Sequence, residues 1–187
     1  MPEMKRLFAA IKIEPDDAFI DMYDNLKQIL GFHIIKWVDT SNIHITLKFF
    51  GETPVEEIPV ITAALQDALE GIKPFEIKLA NTGIFGSYYS PKVIWVGIST
   101  SEMFNNLSNN VISCLEKSGY LNDRQNFVPH LTLGRIKEIK DKNHFQEVVS
   151  HFSNYVYQTQ MIKGFALYDS ILRKEGPEYS VVEEFIF

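Results

Sequence analysis

The chain holds one cysteine, Cys114, among its 187 residues. An internal disulfide framework and a cysteine-based zinc site are therefore excluded, and the scarcity fits a reducing compartment. Long apolar runs are also missing. None approaches the roughly 20 residues a membrane-spanning helix needs. The N-terminal MPEMKRLFAAIKIEPDD has two basic residues and a short apolar stretch, but Lys12 interrupts that stretch and acids follow. It is too short for a signal-peptide core, so a cytoplasmic protein without a membrane partner is expected. An excess of positive charge is lacking as well, since the formal net charge is −6. Broad binding along a nucleic-acid backbone needs many phosphate-neutralising cations. What remains open is a local positive pocket for a strand terminus or a small phosphate ester. The chain also has no HExxH, no Gly-rich phosphate loop of the P-loop type and no paired-aspartate motif.

What is present is an ordinary globular balance and an internal repeat. The hydrophobic fraction is 45%, and 14 Phe with 8 Tyr lean towards sheet packing. NIHITLKFFG surrounds His44 and FVPHLTLGR surrounds His130, so His-x-Thr-Leu occurs twice, 86 positions apart. At the same offset LFAAIKI from Leu7 lies over VIWVGIS from Val93. A helix-like stretch separates strand and motif in each unit. In the first, Phe19, Met22, Tyr23, Leu26, Ile29 and Leu30 recur every three or four residues. In the second, Phe104, Leu107, Val111, Ile112 and Leu115 do the same. Asp16 or Asp17, and the serines at 99 and 101, can cap the two starts; Gly31 and Gly119 can end them. After each motif a helix (55–71 and 142–152) and a strand (FEIKLANTGIF and YQTQMIKGFALY) follow, and HIIKWV and YSVVEEFIF add further strands. No linker separates the halves. An α+β fold is expected, one domain over residues 1–187 built from two pseudo-symmetric lobes.

Side chains alternate along a strand. His44 and Thr46 then share one face, with Ile45, Leu47 and Phe49 opposite. His130 and Thr132 share another, with Leu131 and Leu133 opposite. If the two polar faces meet, one groove holds two imidazoles and two hydroxyls. Imidazole titrates near 6.5, so one ring can take a proton from water while the other gives one to a leaving oxygen. Threonine hydroxyls can donate to the non-bridging oxygens of a phosphodiester. A lone strand histidine is more often structural, but this combination occurs twice at equivalent positions. Lys48 continues the alternation onto the histidine face and Arg135 follows the second motif, so both are candidate phosphate ligands. A zinc site is the weaker reading, because two histidines need a third good ligand and neither motif strand carries a carboxylate on the histidine face. No metal and no cofactor is expected. His33, His144 and His151 lack the motif context and read as surface or packing residues. Trp37 and Trp95 read as core. Tyr168, Ser170 and Arg173 lie in a Gly- and Pro-flanked segment that could border the groove.

HITLKFFGE and HLTLGR resemble the two HxTx motifs of the 2H phosphoesterases, and specifically the RNA 2′,3′-cyclic phosphodiesterases once called 2′-5′ RNA ligases. RLFAAI, KWVDTSNIHITLKFFGE, KVIWVGI and FALYDSILRKEGPEYSVVEEF fall in the order expected of that family. The resemblance implies a bilobal fold of two antiparallel sheets lining a central groove, with helices outside. It implies hydrolysis of a 2′,3′-cyclic phosphate to a 2′-phosphomonoester, with an RNA terminus or a small nucleotide as partner and the protein acting as a monomer. It assigns His44 the proton-donor role, His130 the acceptor role, and Thr46 and Thr132 the holding of phosphate. The pseudo-symmetry alone does not choose between the two histidine roles. Two alternatives stay open: a small cyclic nucleotide or 2′-5′-linked oligonucleotide as substrate, and a non-catalytic module that binds nucleotide phosphates.

Overall fold

The computed structural model describes residues 2–99, 101–121, 128–174 and 176–187. Its elements run β1 (Met4–Lys12), α1 (Asp17–Ile29), β2 (Ile34–Trp37), β3 (His44–Pro54), α2 (Ile58–Asp67), β4 (Phe75–Ser87), β5 (Ser90–Ser99), α3 (Glu102–Lys117), β6 (His130–Glu138), α4 (Lys142–His151), β7 (Val156–Ile162), β8 (Gly164–Leu172) and β9 (Pro177–Ile186). Three of the four helices, α1, α3 and α4, begin at side-chain caps, while α2 has proline in its first turn instead. Asp16 accepts from the Phe19 N–H at 2.8 Å, Ser101 from Phe104 at 3.2 Å and Asp141 from His144 at 3.1 Å. The periodic apolar residues of α1 and α3 are buried, apart from Ile29 at the end of α1, which is exposed, and Ile112, which is partly so.

The strands form two antiparallel sheets, ordered β3-β1-β8-β9 and β2-β6-β5-β4-β7. The motif strands β3 and β6 meet at the centre of the molecule. Helix α1 packs against β7, α4 against β4, and α3 against β3 and β4, and one continuous apolar cluster runs under both sheets. The two-sheet architecture expected from the sequence is present, but the chain divides between the sheets differently. YQTQMIKGFALY reads as a single strand, yet it breaks at Lys163. Its first part, β7, joins the five-stranded sheet, while β8 joins the other. Gly164 opens β8 directly after the break, and a Cβ there would come within 2.3 Å of the Phe185 carbonyl oxygen on β9. The strand that follows α2 also crosses over: β4 pairs with β5, just as β8 pairs with β1. Each sheet is thus built from both sequence halves. The buried Gln158 of β7 adds a polar tie, accepting from the Asp16 N–H at 2.9 Å and donating to the Glu14 carbonyl at 2.7 Å.

The repeat alignment also needs correction by one residue. Leu7, Ala9 and Ile11 of β1 face the core, as do Ile94 and Val96 of β5. With a two-residue pleat, an even offset of 86 would put equivalent residues on opposite faces. Pairing resolves this: Ala10 lies opposite Thr46 and Trp95 opposite Thr132, an offset of 85 for these strands.

Replacing glycine by alanine in an unstrained strand ordinarily stabilises by about 0.5–1 kcal/mol. Gly164→Ala should instead destabilise by about 1–3 kcal/mol, because the methyl meets backbone rather than a movable side chain. Urea unfolding checks the sign, and a raised midpoint would show that the β8–β9 contact is looser than described.

Candidate active site

The site begins with an irregularity shared by the two motif strands. Lys48 lies opposite Ala9 and Thr46 opposite Ala10, so Leu47 is an extra residue in β3. Gly134 lies opposite Ile94 and Thr132 opposite Trp95, so Leu133 is the extra residue in β6. A bulge places two residues against one and resets the alternation beyond it. In β3 both Leu47 and Lys48 turn inward, and Phe49 emerges on the histidine face. In β6 both Leu133 and Gly134 turn inward, and Arg135 emerges. Strict alternation places Lys48 on the histidine face and Phe49 behind it; the bulge exchanges them. Lys48 is buried, and its Nζ donates to the Leu121 carbonyl at 2.6 Å, away from the groove. The expectation that Lys48 binds phosphate is therefore dropped.

His44, Thr46, His130, Thr132 and Arg135 line one groove of about 870 Å³. Both imidazoles are half-buried and held alike. His44 Nδ1 lies 2.7 Å from the Asn42 carbonyl oxygen, and His130 Nδ1 lies 2.7 Å from that of Val128. A carbonyl can only accept, so each Nδ1 carries the hydrogen, and in the neutral ring Nε2 is the basic nitrogen. The accepting residues precede their histidines by two positions, and no side-chain motif announces them. Burial pushes the His44 imidazole below its ordinary value of 6.5. The Asn42 carbonyl opposes this by favouring the charged ring, and His130 adds to the lowering by like-charge repulsion.

Aromatic rings fix the imidazole planes. Phe8 lies 5.0 Å and Tyr179 5.4 Å from the His44 ring, Tyr179 edge-on, while Phe85 meets His130 edge-on at 4.6 Å. Burial raises the Tyr179 phenol, and Arg135 and Arg6 draw it back, so the hydroxyl sits in the field of a guanidinium from each sheet. Arg6 stacks over Phe49 at 4.9 Å. These neighbours were missed from sequence. The signal available was the alternation Arg6, Phe8, Ala10 against Leu7, Ala9, Ile11. Ser170 lines the groove and Tyr168 stacks on Phe8, whereas Arg173 is exposed and pairs with Glu178 at 3.0 Å. Trp37 packs against the core and also lines the groove. Trp95 is not a core residue: its ring covers Gly83, where a Cβ would come within 2.2 Å, and neighbours Phe85 at 5.5 Å. His33 is buried, its Nε2 3.5 Å from His144 Nδ1, and His151 meets Phe152 edge-on; none of the three lines the groove. Among the described residues no group of three His, Cys, Asp or Glu is placed to hold a metal ion. Phe127, the first residue of the second motif segment, lies outside the described residues.

The geometry can be set beside known proteins. Residues 12–167 match the model of the 2′-5′ RNA ligase superfamily. An RNA 2′,3′-cyclic phosphodiesterase of Archaeoglobus fulgidus is 31% identical over 180 residues, covering 96% of this chain and 99% of that protein. One from Aquifex aeolicus is 30% identical over 185 residues, covering 97% and 98%. A crystal structure from Thermus thermophilus superposes with a TM-score of 0.77 at 28% identity, covering 97% of each chain. Escherichia coli LigT, complexed with 3′-AMP, shares the fold at a TM-score of 0.72 and 21% identity, covering 99% of each chain. The chain belongs to the 2′-5′ RNA ligase superfamily.

Proposed function

We propose that this protein hydrolyses RNA 2′,3′-cyclic phosphate ends to 2′-phosphomonoesters with His44 and His130 as an acid–base pair. The observation that carries the reading is the matched pair of Nδ1-tethered imidazoles on one groove. The RNA 2′,3′-cyclic phosphodiesterases to which the chain is similar support the substrate. Water attacks phosphorus, and the bond from phosphorus to O3′ breaks. His130 Nε2 takes the proton from the water, and the protonated His44 gives one to O3′. The 2′ ester bond survives, which accounts for a 2′-phosphate product. Thr46 and Thr132 donate hydrogen bonds to the non-bridging oxygens, and Arg135 balances the charge that grows there. The donor role of His44 follows the family resemblance. Its lowered pKa leaves it mostly neutral near pH 7, and the negative charge of an arriving phosphate favours its protonation.

His44→Ala and His130→Ala should each lower kcat/KM on a cyclic-phosphate RNA end by about 10²-fold or more, with unchanged circular dichroism. Full turnover by either variant rejects the paired mechanism. The roles separate with a p-nitrophenyl phosphodiester, whose leaving group needs no proton. His44→Ala should keep more of its activity there than His130→Ala, and the opposite order would exchange the roles.

Histidine NMR titration gives the pH dependence. In the free protein His44 should titrate below 6.5, and a bound 2′-phosphate product should move it upward, since a neighbouring anion stabilises the imidazolium. As His44 must be protonated to act, kcat/KM should fall on the alkaline side of its optimum. A free His44 titrating above 6.5 would remove this account.

A further inference from the structure

Four cations line the groove: Arg6, Lys27, Lys36 and Arg135. Two have carboxylate partners, Arg6 with Glu52 and Lys27 with Asp24, each at 3.8 Å. Lys36 and Arg135 have no ion pair among the described residues, although they lie directly opposite one another on the antiparallel strands β2 and β6. Like charges in that position sit about 5 Å apart and are destabilising. The groove carboxylate of Asp39, three residues beyond Lys36, is already occupied by the Ser41 N–H at 2.9 Å and hydroxyl at 2.6 Å. The net charge of the chain is −6, so an uncompensated cation pair turned into the groove is not a by-product of a basic surface. With Arg135 assigned to the reacting phosphate, Lys36 is the cation that remains for a second anion.

Its position suggests which anion. Arg135 stands on the groove face beyond Thr132, separated from it by the bulge. Lys36 lies one strand further out, on β2, which is the edge of its sheet. The path from the histidines over Thr132 and Arg135 to Lys36 thus leads out to solvent, as a polynucleotide attached to the reacting end would require. A mononucleotide held at the histidines carries no second phosphate to reach Lys36. We infer that Lys36, beside Arg135, forms a subsite for the phosphodiester on the 5′ side of the terminal nucleotide, which makes oligonucleotide ends preferred over mononucleoside cyclic phosphates. The inference rests on the proposed cyclic phosphodiesterase reading.

The test compares a trinucleotide ending in a 2′,3′-cyclic phosphate with a mononucleoside 2′,3′-cyclic phosphate, using the unaltered chain, Lys36→Gln and Lys36→Arg. Lys36 is exposed, so the fold should tolerate both changes. Lys36→Gln should raise KM for the trinucleotide about tenfold, the size of one charge-assisted hydrogen bond, with kcat unchanged. KM for the mononucleotide should stay constant, and Lys36→Arg should restore the trinucleotide value. The slope of log KM against log salt for the trinucleotide should fall by about 1 in Lys36→Gln. Turnover of both substrates with equal KM changes, or with none, overturns the subsite while leaving the activity standing. No turnover of either substrate by the unaltered chain overturns both.

Discussion

Each motif strand has to meet two demands that a plain two-residue pleat cannot meet together. It must offer histidine, threonine and a third side chain to the groove, and it must keep the strand's back sealed against the core. The bulges at Leu47 and Leu133 reconcile them. One extra apolar residue deepens the seal, and the next outward residue arrives one position late. Everything on the groove side beyond the threonine depends on that shift, including the emergence of Arg135 and the burial of Lys48. The shift recurs at the same place in both motifs. The residues that emerge through it differ between the two strands. One side presents Phe49 with Arg6 laid over it; the other presents Arg135 itself.

The imidazoles illustrate a second economy. Orientation of a catalytic histidine usually requires a separate carboxylate or amide elsewhere in the chain. Here each ring is tethered by a carbonyl two residues before it, on its own strand approach. A carbonyl adds no charge to the groove, so this tether itself does not bias the imidazole through a fixed negative charge. Burial then leans His44 towards neutrality, and in the proposed reaction the substrate phosphate would supply the charge that reverses the lean.

Much of the groove's polar lining was legible in the sequence because it is written in side chains. The doubled His-x-Thr-Leu located both rings and both hydroxyls, and apolar periodicity located α1 and α3. What stayed hidden lies in backbone. A bulge has no residue signature at Leu47 or Leu133, so Lys48 was assigned to the wrong face and the β1–β5 offset was wrong by one. The Asn42 and Val128 carbonyls could be any residue's. The break at Lys163 reads as a continuous strand because β-formers flank it on both sides. Gly164 was the one visible cue, and its reason, the approach of Phe185, comes from far along the chain.

The exchange of strands between the sheets bears on how the molecule is made. β1 pairs with β8 across most of the sequence, Leu7 lying opposite Asp169. Loop closure over such a distance comes late and slows folding. The first sheet therefore cannot close until β8 is in place, and until then the β1 edge that β8 will occupy presents unpaired backbone N–H and C=O groups.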